Sequence, residues 1–247
     1  MSDALPLPLA GKNVLLTGAA RRIGRALALA VARSGGDVIL HYGHSPAEAE
    51  ETRDAILSIG RRVYPLQADL GRPEQASQLI LRALEIGPLF ALVNSAAIFE
   101  PLSWDQTDLE SWNRHLMINL TAPFLLSQAF ARSIGPQAAG RIVNILDWRA
   151  LRPGPDHLPY TISKAALAAL TRSLASALAP QVTVNGLALG AILPPSDGAV
   201  GDAILRPVPA GRWAELAEVE QTLLFLLTGP TYITGEIIHV DGGRHLV

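Results

Sequence analysis

The sequence predicts an α/β protein with a Rossmann-type fold, in which a doubly wound parallel sheet of seven strands is flanked by helices in a single domain. Short runs of β-branched and other apolar residues alternate along the chain with longer helical stretches, as they do in βαβ units. The first strand enters a turn of small residues that opens a helix, an arrangement typical of nucleotide-binding α/β sheets. No low-complexity linker interrupts residues 1–247, so we expect one domain.

Each element follows from its local pattern. The apolar run at 13–17 predicts the first strand, and residues 23–34 predict the next helix, which a pair of glycines ends. The same alternation predicts strand 37–42, helix 46–59, strand 63–67, helix 73–86, strand 90–94, a long helical region at about 105–132, strand 141–146, helix 158–178, strand 182–185, helix 214–227 and strand 237–240. Residues 190–211, the least regular stretch, hold four prolines after the sixth strand, and we expect a mobile substrate lid there.

The composition excludes several classes of function. Without cysteine, the chain offers neither a disulfide framework nor thiolate chemistry, so any redox reaction must use a bound cofactor. A formal net charge of −2 gives no general attraction to nucleic acid or to anionic lipid. No apolar run reaches the roughly 18 residues of a membrane-spanning helix. Residues 5–9 lack the basic leader of a secretory signal, so we expect a frayed lead-in and a cytoplasmic enzyme.

The turn after the first strand predicts a dinucleotide site. Small residues at 18–20 let the backbone approach a pyrophosphate, Gly24 permits close packing of helix on strand, and the helix N-terminus offers free N–H groups to an anion. The alternative is a turn that only connects two elements.

The choice of cofactor follows from the end of the second strand. Residues 41–45 contain no acid to bind the ribose 2′-hydroxyl of NAD, whereas Arg21 and Arg22 can hold a 2′-phosphate. NADPH is therefore favoured over NADH, with solvated helix-start arginines as the alternative. Asp69, at the end of the third strand, is expected either to bind the adenine amino group or to cap the next helix.

Tyr160 and Lys164, four residues apart, indicate a catalytic pair. This spacing puts both on one face of a helix, where the ammonium is expected to stabilise the phenolate and lower the tyrosine pKa. Lys164 is one of only two lysines among 20 basic residues, the other being Lys12. The chain thus keeps a compact, tunable ammonium where arginine would be a poor substitute. A Tyr–Lys pair at this spacing is also common surface decoration.

Together these residues resemble the short-chain dehydrogenase/reductase family over essentially the whole chain. The matching pieces occur in the family's order, at 17–24, 69–70, 94–97, Asn119, 160–164 and 241–243. The resemblance implies that Tyr160 donates a proton and that Lys164 binds the nicotinamide ribose and lowers the tyrosine pKa. It implies that Asn119 supports a water-linked proton relay and that Asn94 borders the cofactor. It also implies a homotetramer built on the two long central helices.

Two departures from the general family pattern and one further match are similar to pteridine reductases. Arg22 replaces a middle glycine in the first turn, Asp147 replaces the usual serine after the fifth strand, and Phe99 matches an aromatic residue that sandwiches pterin against nicotinamide. The resemblance implies that Arg22 faces cofactor phosphate and pterin, and that Asp147 helps Tyr160 to protonate a ring nitrogen. Local capping or pairing of Asp147 with Arg149, and core packing of Phe99, are the alternatives. Other positions depart from the pteridine reductase pattern, namely Ser95, Ala97, Gly43-His44 and Leu189-Gly190.

We therefore expect an NADPH-dependent reductase that transfers hydride to a pteridine ring C=N, with Tyr160 and Asp147 supplying the proton. The alternatives are a carbonyl reductase of the same family acting on a small ketone, and a non-catalytic NADP(H)-binding sensor. The predicted catalytic residues are Asn119, Asp147, Tyr160 and Lys164, and no metal is expected. The predicted substrate contacts are Arg22, Phe99, Asp147 and Tyr160. The predicted cofactor contacts are Gly18, Arg21, Arg22, Ile23, His41, Tyr42, His44, Ser45, Asp69, Leu70, Asn94, Ser95, Ala96, Tyr160, Lys164 and Gly190.

Overall fold

Seven parallel strands form the central sheet, and helices cover both of its faces. The structure, a computed structural model, describes residues 7–194 and 204–247. The strands are β1 (Asn13–Leu16), β2 (Asp37–Tyr42), β3 (Val63–Gln67), β4 (Leu89–Asn94), β5 (Gly140–Asp147), β6 (Val182–Leu189) and β7 (Ile237–Val240). The helices are α1 (Arg22–Arg33), α2 (Pro46–Ser58), α3 (Pro73–Ile86), α4 (Leu109–Leu116), α5 (Ala122–Ser133), α6 (Leu158–Leu178) and α7 (Leu216–Thr228). The predicted fold class is confirmed.

The order of the strands creates a crevice at the carboxyl end of the sheet. The order is β3-β2-β1-β4-β5-β6-β7, so the chain proceeds outward from β1 in one direction and then from β4 in the other. At the end of β1, Leu16 is in register with Leu40 of β2 on one side and Val93 of β4 on the other. The loops after β1 and β4 diverge to opposite faces at this switch point, where open α/β sheets bind their ligands.

β6 is longer than the predicted 182–185. It continues to Leu189 because its second half is paired on both sides, with β5 and with β7. Gly186 interrupts the β-branched run and so conceals this continuation in the sequence. A Cβ there would lie 2.6 Å from Leu146 Cδ1, so a larger residue would force the Leu146 side chain to move. The extended β5–β6 pair also places Asp147 at the last position of β5 rather than in the loop beyond it.

The predicted continuous helical region at 105–132 is three elements. α4 begins only at Leu109, after Asp108 accepts a hydrogen bond from the Ser111 N–H at 2.8 Å as the N-cap. A π-helical turn, Met117–Thr121, joins α4 to α5. Such turns occur often at functional sites, and this one contains Asn119.

The core has one layer on each face of the sheet. α1 and α7 pack on one face, through residues such as Leu27 and Leu223, and α3 and α5 pack on the other, through residues such as Leu79 and Phe130. Leu9 is fully buried in the first layer, and its N–H donates to the carbonyl of Ser34 at 3.0 Å. The prediction that 5–9 is wholly a frayed lead-in is therefore wrong at Leu9, whose burial contributes about 2 kcal/mol.

The stretch predicted as a lid, 190–211, is only partly described, because residues 195–203 lie outside the described ranges. Its second part packs against the turn that follows β7. Atoms of Val208 and Ala210 lie near Gly242, and Pro209 lies near Gly243. Whether the stretch moves stays a prediction. Among the helices of residues 7–194 and 204–247, none combines the length and apolar character that crossing a bilayer requires.

Candidate active site

Two glycines allow the tight packing of the β1–α1 turn. Gly18 has φ +65°, and a Cβ there would lie 2.8 Å from Ala96 Cα in the loop after β4. A Cβ on Gly24 would lie 2.0 Å from the carbonyl oxygen of Gly18. The first turn of α1 holds no acidic residue, so its free N–H groups and positive dipole end are open to an anion. The turn therefore fits a dinucleotide pyrophosphate.

The two arginines at this turn are placed differently. Arg22 has φ +51°, a left-handed backbone that costs a non-glycine residue about 1–2 kcal/mol. Its guanidinium crosses the crevice and donates to the carbonyl of Pro194, beyond β6, at 2.8 Å. Arg21 is exposed, and within the described residues its guanidinium makes no hydrogen bond. Arg22 thus spans the crevice, whereas Arg21 is available to a phosphate beside the turn.

His41 supports the turn from below. Its Nδ1 accepts from the Gly18 N–H at 3.1 Å, and its Nε2 lies 3.0 Å from the carbonyl of Ala68, so Nε2 carries the proton. Burial lowers the pKa of His41 to about 4. Because the ring is buried and both nitrogens are engaged, the prediction that His41 binds the cofactor is corrected: its side chain positions the Gly18 turn.

A polar depression of about 370 Å³ lies beside this turn, at the ends of β2 and β3. Gly43, His44 and Asp69 line it, with Gln67, Arg72 and Gln75. Asp69 accepts from the Gly71 N–H at 2.9 Å and lies 3.5 Å from Arg72, so it closes the turn before α3 and does not cap that helix, whose N-cap is Arg72. Its carboxylate is still partly exposed in the depression. Two predicted cofactor residues, His44 and Asp69, therefore line the same depression, whereas Leu70 is buried. Tyr42 and Ser45, both partly exposed, flank it along the chain at the end of β2 and the start of α2.

The loop after β4 is fastened to β1 by a residue that the sequence interpretation did not single out. The hydroxyl of Thr17 accepts from the N–H groups of Ser95 and Ala96 at 2.9 and 3.0 Å. This brings the backbone of Ser95 and Ala96 to the crevice. The Asn94 side chain instead points into the interior and donates to Asn144 Oδ1 at 2.8 Å. The Asn94 side chain is thus buried between strands and helices, and the expectation that Asn94 borders the cofactor stays a prediction.

The side chain of Asn119 is held in place by three hydrogen bonds. Its Oδ1 accepts from the Ile98 N–H at 2.9 Å, and its Nδ2 donates to the Ile98 carbonyl at 3.0 Å and to Ser163 Oγ at 3.1 Å. Ser163 in turn donates to the carbonyl of Tyr160 at 2.6 Å. Both amide hydrogens of Asn119 are used, so this side chain positions the loop before Phe99 relative to α6. The predicted water-linked proton relay at Asn119 stays a prediction.

Asp147, Tyr160 and Lys164 meet at the crevice. Asp147 ends β5, and the Tyr160 hydroxyl, one turn from Lys164 on α6, donates to Asp147 Oδ2 at 3.2 Å. Lys164 Nζ donates to the carbonyl of Ile145 at 2.7 Å and lies 5.8 Å from the centre of the tyrosine ring. The predicted catalytic trio is thus assembled, with the carboxyl rather than the ammonium against the phenol.

Burial controls the protonation of this trio. It raises the pKa of Asp147, and burial with the charge of Asp147 raises the pKa of Tyr160 well above its usual value. Burial lowers the pKa of Lys164 to about 8. The expectation that Lys164 lowers the tyrosine pKa is therefore wrong here, because the ammonium is directed to a backbone carbonyl and the nearest charge is a carboxylate. The pair of Asp147 and Tyr160 can hold two protons at one edge of the crevice.

A loop between β5 and α6 completes the site with residues that have no periodic signal in the sequence. Arg149 lies beside Asp147 and Asp156, with 17% of its side chain exposed. Phe99 stacks on the ring of His157 at 4.1 Å and meets the edge of Tyr160 at 4.6 Å between ring centres. Phe99 is 54% exposed, so it is not simply core packing.

The opposite wall is formed where β6 ends. Gly190 donates its N–H to the carbonyl of Val240 at 3.0 Å, and a Cβ on it would lie 2.6 Å from Asp241 Cα. Only glycine at position 190 allows the turn after β7 to approach this closely. Among the described residues, no group of three or more His, Cys, Asp and Glu side chains is placed to hold a metal ion.

Comparison with known proteins agrees with this geometry. A family model described as enoyl-(acyl carrier protein) reductase matches residues 18–245. A 3-oxoacyl-[acyl-carrier-protein] reductase of Synechocystis is 33% identical over 240 residues, covering 95% of this chain and 97% of that protein. The FolM alternative dihydrofolate reductase 1 of Brucella canis, solved with NADP, superposes with a TM-score of 0.89 at 35% identity, covering 97% of this chain and 96% of that one. A short-chain dehydrogenase of Burkholderia cenocepacia, also solved with NADP, gives 0.90 at 35% identity, covering 96% and 99%.

Proposed function

The chain belongs to the short-chain dehydrogenase/reductase family, and on that premise we propose that it is an NADPH-dependent reductase of a pteridine ring C=N bond. The observation that carries this proposal is the carboxyl of Asp147 in hydrogen-bond contact with the Tyr160 hydroxyl. Reduction of a C=N bond places hydride on carbon and requires a proton on nitrogen. An acid with a raised pKa beside a phenol is suited to supply that proton.

NADPH fits the cradle of this chain. Gly18 and Gly24 let the turn pack closely against Ala96 and against itself, and the N-terminus of α1 offers free N–H groups at this turn. We propose that Arg21 holds the 2′-phosphate, that Asp69 faces the adenine end, and that Lys164 holds the nicotinamide ribose. When bound, NADPH supplies the hydride. Arg22, which spans the crevice between β1 and β6, is positioned to touch both cofactor phosphate and substrate.

Arg21→Gln is expected to raise the KM for NADPH about tenfold and to leave the KM for NADH unchanged. A hydrogen bond to a charged group contributes about 1.5–3 kcal/mol, and only NADPH carries the 2′-phosphate. Steady-state kinetics with each cofactor measure the ratio. Arg33→Gln is the control, because Arg33 ends the same helix in an exposed pair with Glu220 at 2.6 Å. Equal losses with both cofactors would contradict the assignment.

The protein side of the reaction follows from the contacts. Tyr160 donates the proton to the ring nitrogen, and Asp147 holds a second proton at 3.2 Å from which the phenol is restored. Lys164 places its amino group 5.8 Å from the centre of the Tyr160 ring, on the same face of α6. Phe99, half exposed and edge-on to Tyr160, offers its free surface to a flat ring.

A ketone reductase is the second candidate, because the family model and several relatives are named for reduction at acyl carriers, including the Synechocystis protein. A screen separates the two. The purified protein with NADPH is expected to lose nicotinamide absorbance with dihydrobiopterin, dihydromonapterin or dihydrofolate. Turnover of ketones or of a 3-oxoacyl thioester without turnover of any pterin would exclude the pteridine proposal.

We also propose a homotetramer in the cytoplasm, built on α4–α5 and α6. Exposed apolar side chains occur on all three helices, at Leu109, Phe124 and Ile162, as a covered face requires.

A further inference from the structure

Arg149 is shared unequally between two carboxylates. Its Nη2 lies 2.8 Å from Asp156 Oδ2, whereas its Nη1 lies 3.6 Å from Asp147 Oδ1. The first distance is a charge-assisted hydrogen bond and the second is longer than one. The guanidinium therefore pairs with Asp156 and lies close to Asp147 without a hydrogen bond to it.

Arg149 is held from both sides in this intermediate position. Its guanidinium carbon lies 4.7 Å from the Trp148 ring and 5.9 Å from the Phe99 ring. The Arg149 backbone N–H, rather than its side chain, donates to Asp147 at 2.9 Å. Its Nε is buried without a hydrogen-bond partner among the described residues. One edge of the fork is thus free to take a second carboxylate.

Asp156 is anchored at the start of α6. His157 Nδ1 lies 3.1 Å from its Oδ2, and His157 adopts a left-handed backbone with φ +51°. The His157 ring is fixed in turn by its stack on Phe99. With 48% of its side chain exposed, Asp156 stays ionised at little desolvation cost, and its bond to Arg149 lowers its pKa. Asp147 is only 15% exposed, so its ionised form is costly unless a cation approaches.

We propose that Asp156 is a positioning residue for the acid: by engaging the Arg149 guanidinium, it keeps that cation from pairing fully with Asp147 and so keeps the Asp147 carboxyl able to hold its proton. This inference rests on the proposed function of Asp147. The titratable groups that face Asp147 are Arg149 from its own loop and Tyr160 and Lys164 from α6. The position of Lys164 is fixed by its hydrogen bond to the Ile145 carbonyl, which leaves Arg149 as the adjustable member of this set.

Two substitutions are expected to move the pH profile in opposite directions. In Asp156→Asn the released guanidinium swings to Asp147 and favours its ionised form, so the alkaline limb of kcat/KM, where the acid loses its proton, falls by about one pH unit. In Arg149→Gln the cation is removed and the backbone N–H remains, so the same limb rises by about as much. Arg149→Lys keeps the positive charge, so the alkaline limb of its kcat/KM profile is expected to stay near that of the wild type.

The profiles are recorded by NADPH oxidation with dihydrobiopterin across the pH range for all three variants. Asp105→Asn is the control, because Asp105 is an aspartate bonded to Ser103 on the exposed loop before α4. Shifts of the same sign in Asp156→Asn and Arg149→Gln, or loss of rate with an unmoved limb, would overturn the proposal. If Asp156→Asn does not fold, Arg149→Gln alone decides, and an unmoved or lowered limb overturns it.

These measurements distinguish a failure of the positioning role of Asp156 from a failure of the proposed function on which it rests. If only ketones are reduced, the pteridine proposal fails, and the same profiles recorded with a ketone still test whether Arg149 and Asp156 act on Asp147 in opposite senses. If pterins are reduced without the opposed shifts, the function stands and the positioning role of Asp156 is wrong.

Discussion

Tyr160→Phe is expected to reduce kcat for dihydropterin about a thousandfold while leaving the dissociation constant for NADPH within about twofold. The substitution removes the hydroxyl that donates to Asp147 and that we propose as the proton donor, and general acid catalysis contributes about 10²–10⁴ in rate. The aromatic ring remains, so its edge contact with Phe99 at 4.6 Å and the packing of α6 are preserved. Steady-state turnover and a fluorescence titration with NADPH measure the two quantities.

Tyr232→Phe is the matched control, because Tyr232 is fully exposed in the turn before β7 and loses the same oxygen atom. Turnover above about a tenth of the wild-type value in Tyr160→Phe would show that another group, such as Asp147 directly, delivers the proton. A biological role that survives the loss of Tyr160 would favour a sensor that binds NADP(H), because a sensor needs no proton donor.

The fold was predictable because its signals are local. Apolar runs separated by helical stretches give the elements of a parallel sheet, and the spacing of four between Tyr160 and Lys164 puts both side chains on one helix face. The close approaches that require Gly18 and Gly190 are also consistent with a nucleotide crevice. What escaped prediction was the continuation of β6 past Gly186 and the π-helical turn around Asn119. Gly186 interrupts the β-branched run and conceals the continuation of β6, whereas the π-helical turn leaves the apolar pattern of its region unbroken.

The directions of polar side chains were less predictable. Strands of a parallel sheet are buried on both faces, so apolar alternation does not tell which way Asn94 or His41 points at a strand end. Asn94 turned out to face Asn144, and His41 to support Gly18. The roles of Arg149, Asp156 and His157 arise in an irregular loop, where partners are chosen by three-dimensional packing. Burial, which no sequence pattern gives in full, reverses the expected direction of the Tyr160 pKa.

Asp147→Asn is expected to lower kcat/KM for dihydropterin about a hundredfold without an equal loss for a ketone. Asparagine has the same shape and can still accept from the Arg149 N–H, which lies 2.9 Å from the carboxylate, so the 3-10 turn at Trp148–Ala150 should remain capped. The asparagine side chain, unlike a carboxylic acid, cannot supply a proton. Whenever Asp147 is ionised its charge raises the Tyr160 pKa, and the substitution removes that contribution.

The two effects act in opposite senses on the two candidate reactions. Protonation of a ring nitrogen that depends on Asp147 is lost, whereas donation to a carbonyl oxygen by Tyr160 alone is unharmed or faster. The ratio of kcat/KM for dihydrobiopterin to that for a ketone, compared between wild type and Asp147→Asn, therefore measures how far catalysis uses the carboxyl. Asp147→Ser, which installs a hydroxyl able to bind a carbonyl oxygen, should shift the ratio further toward the ketone. An unchanged ratio in both variants would mean that Asp147 only caps its loop, and that the proton comes from Tyr160 for either substrate.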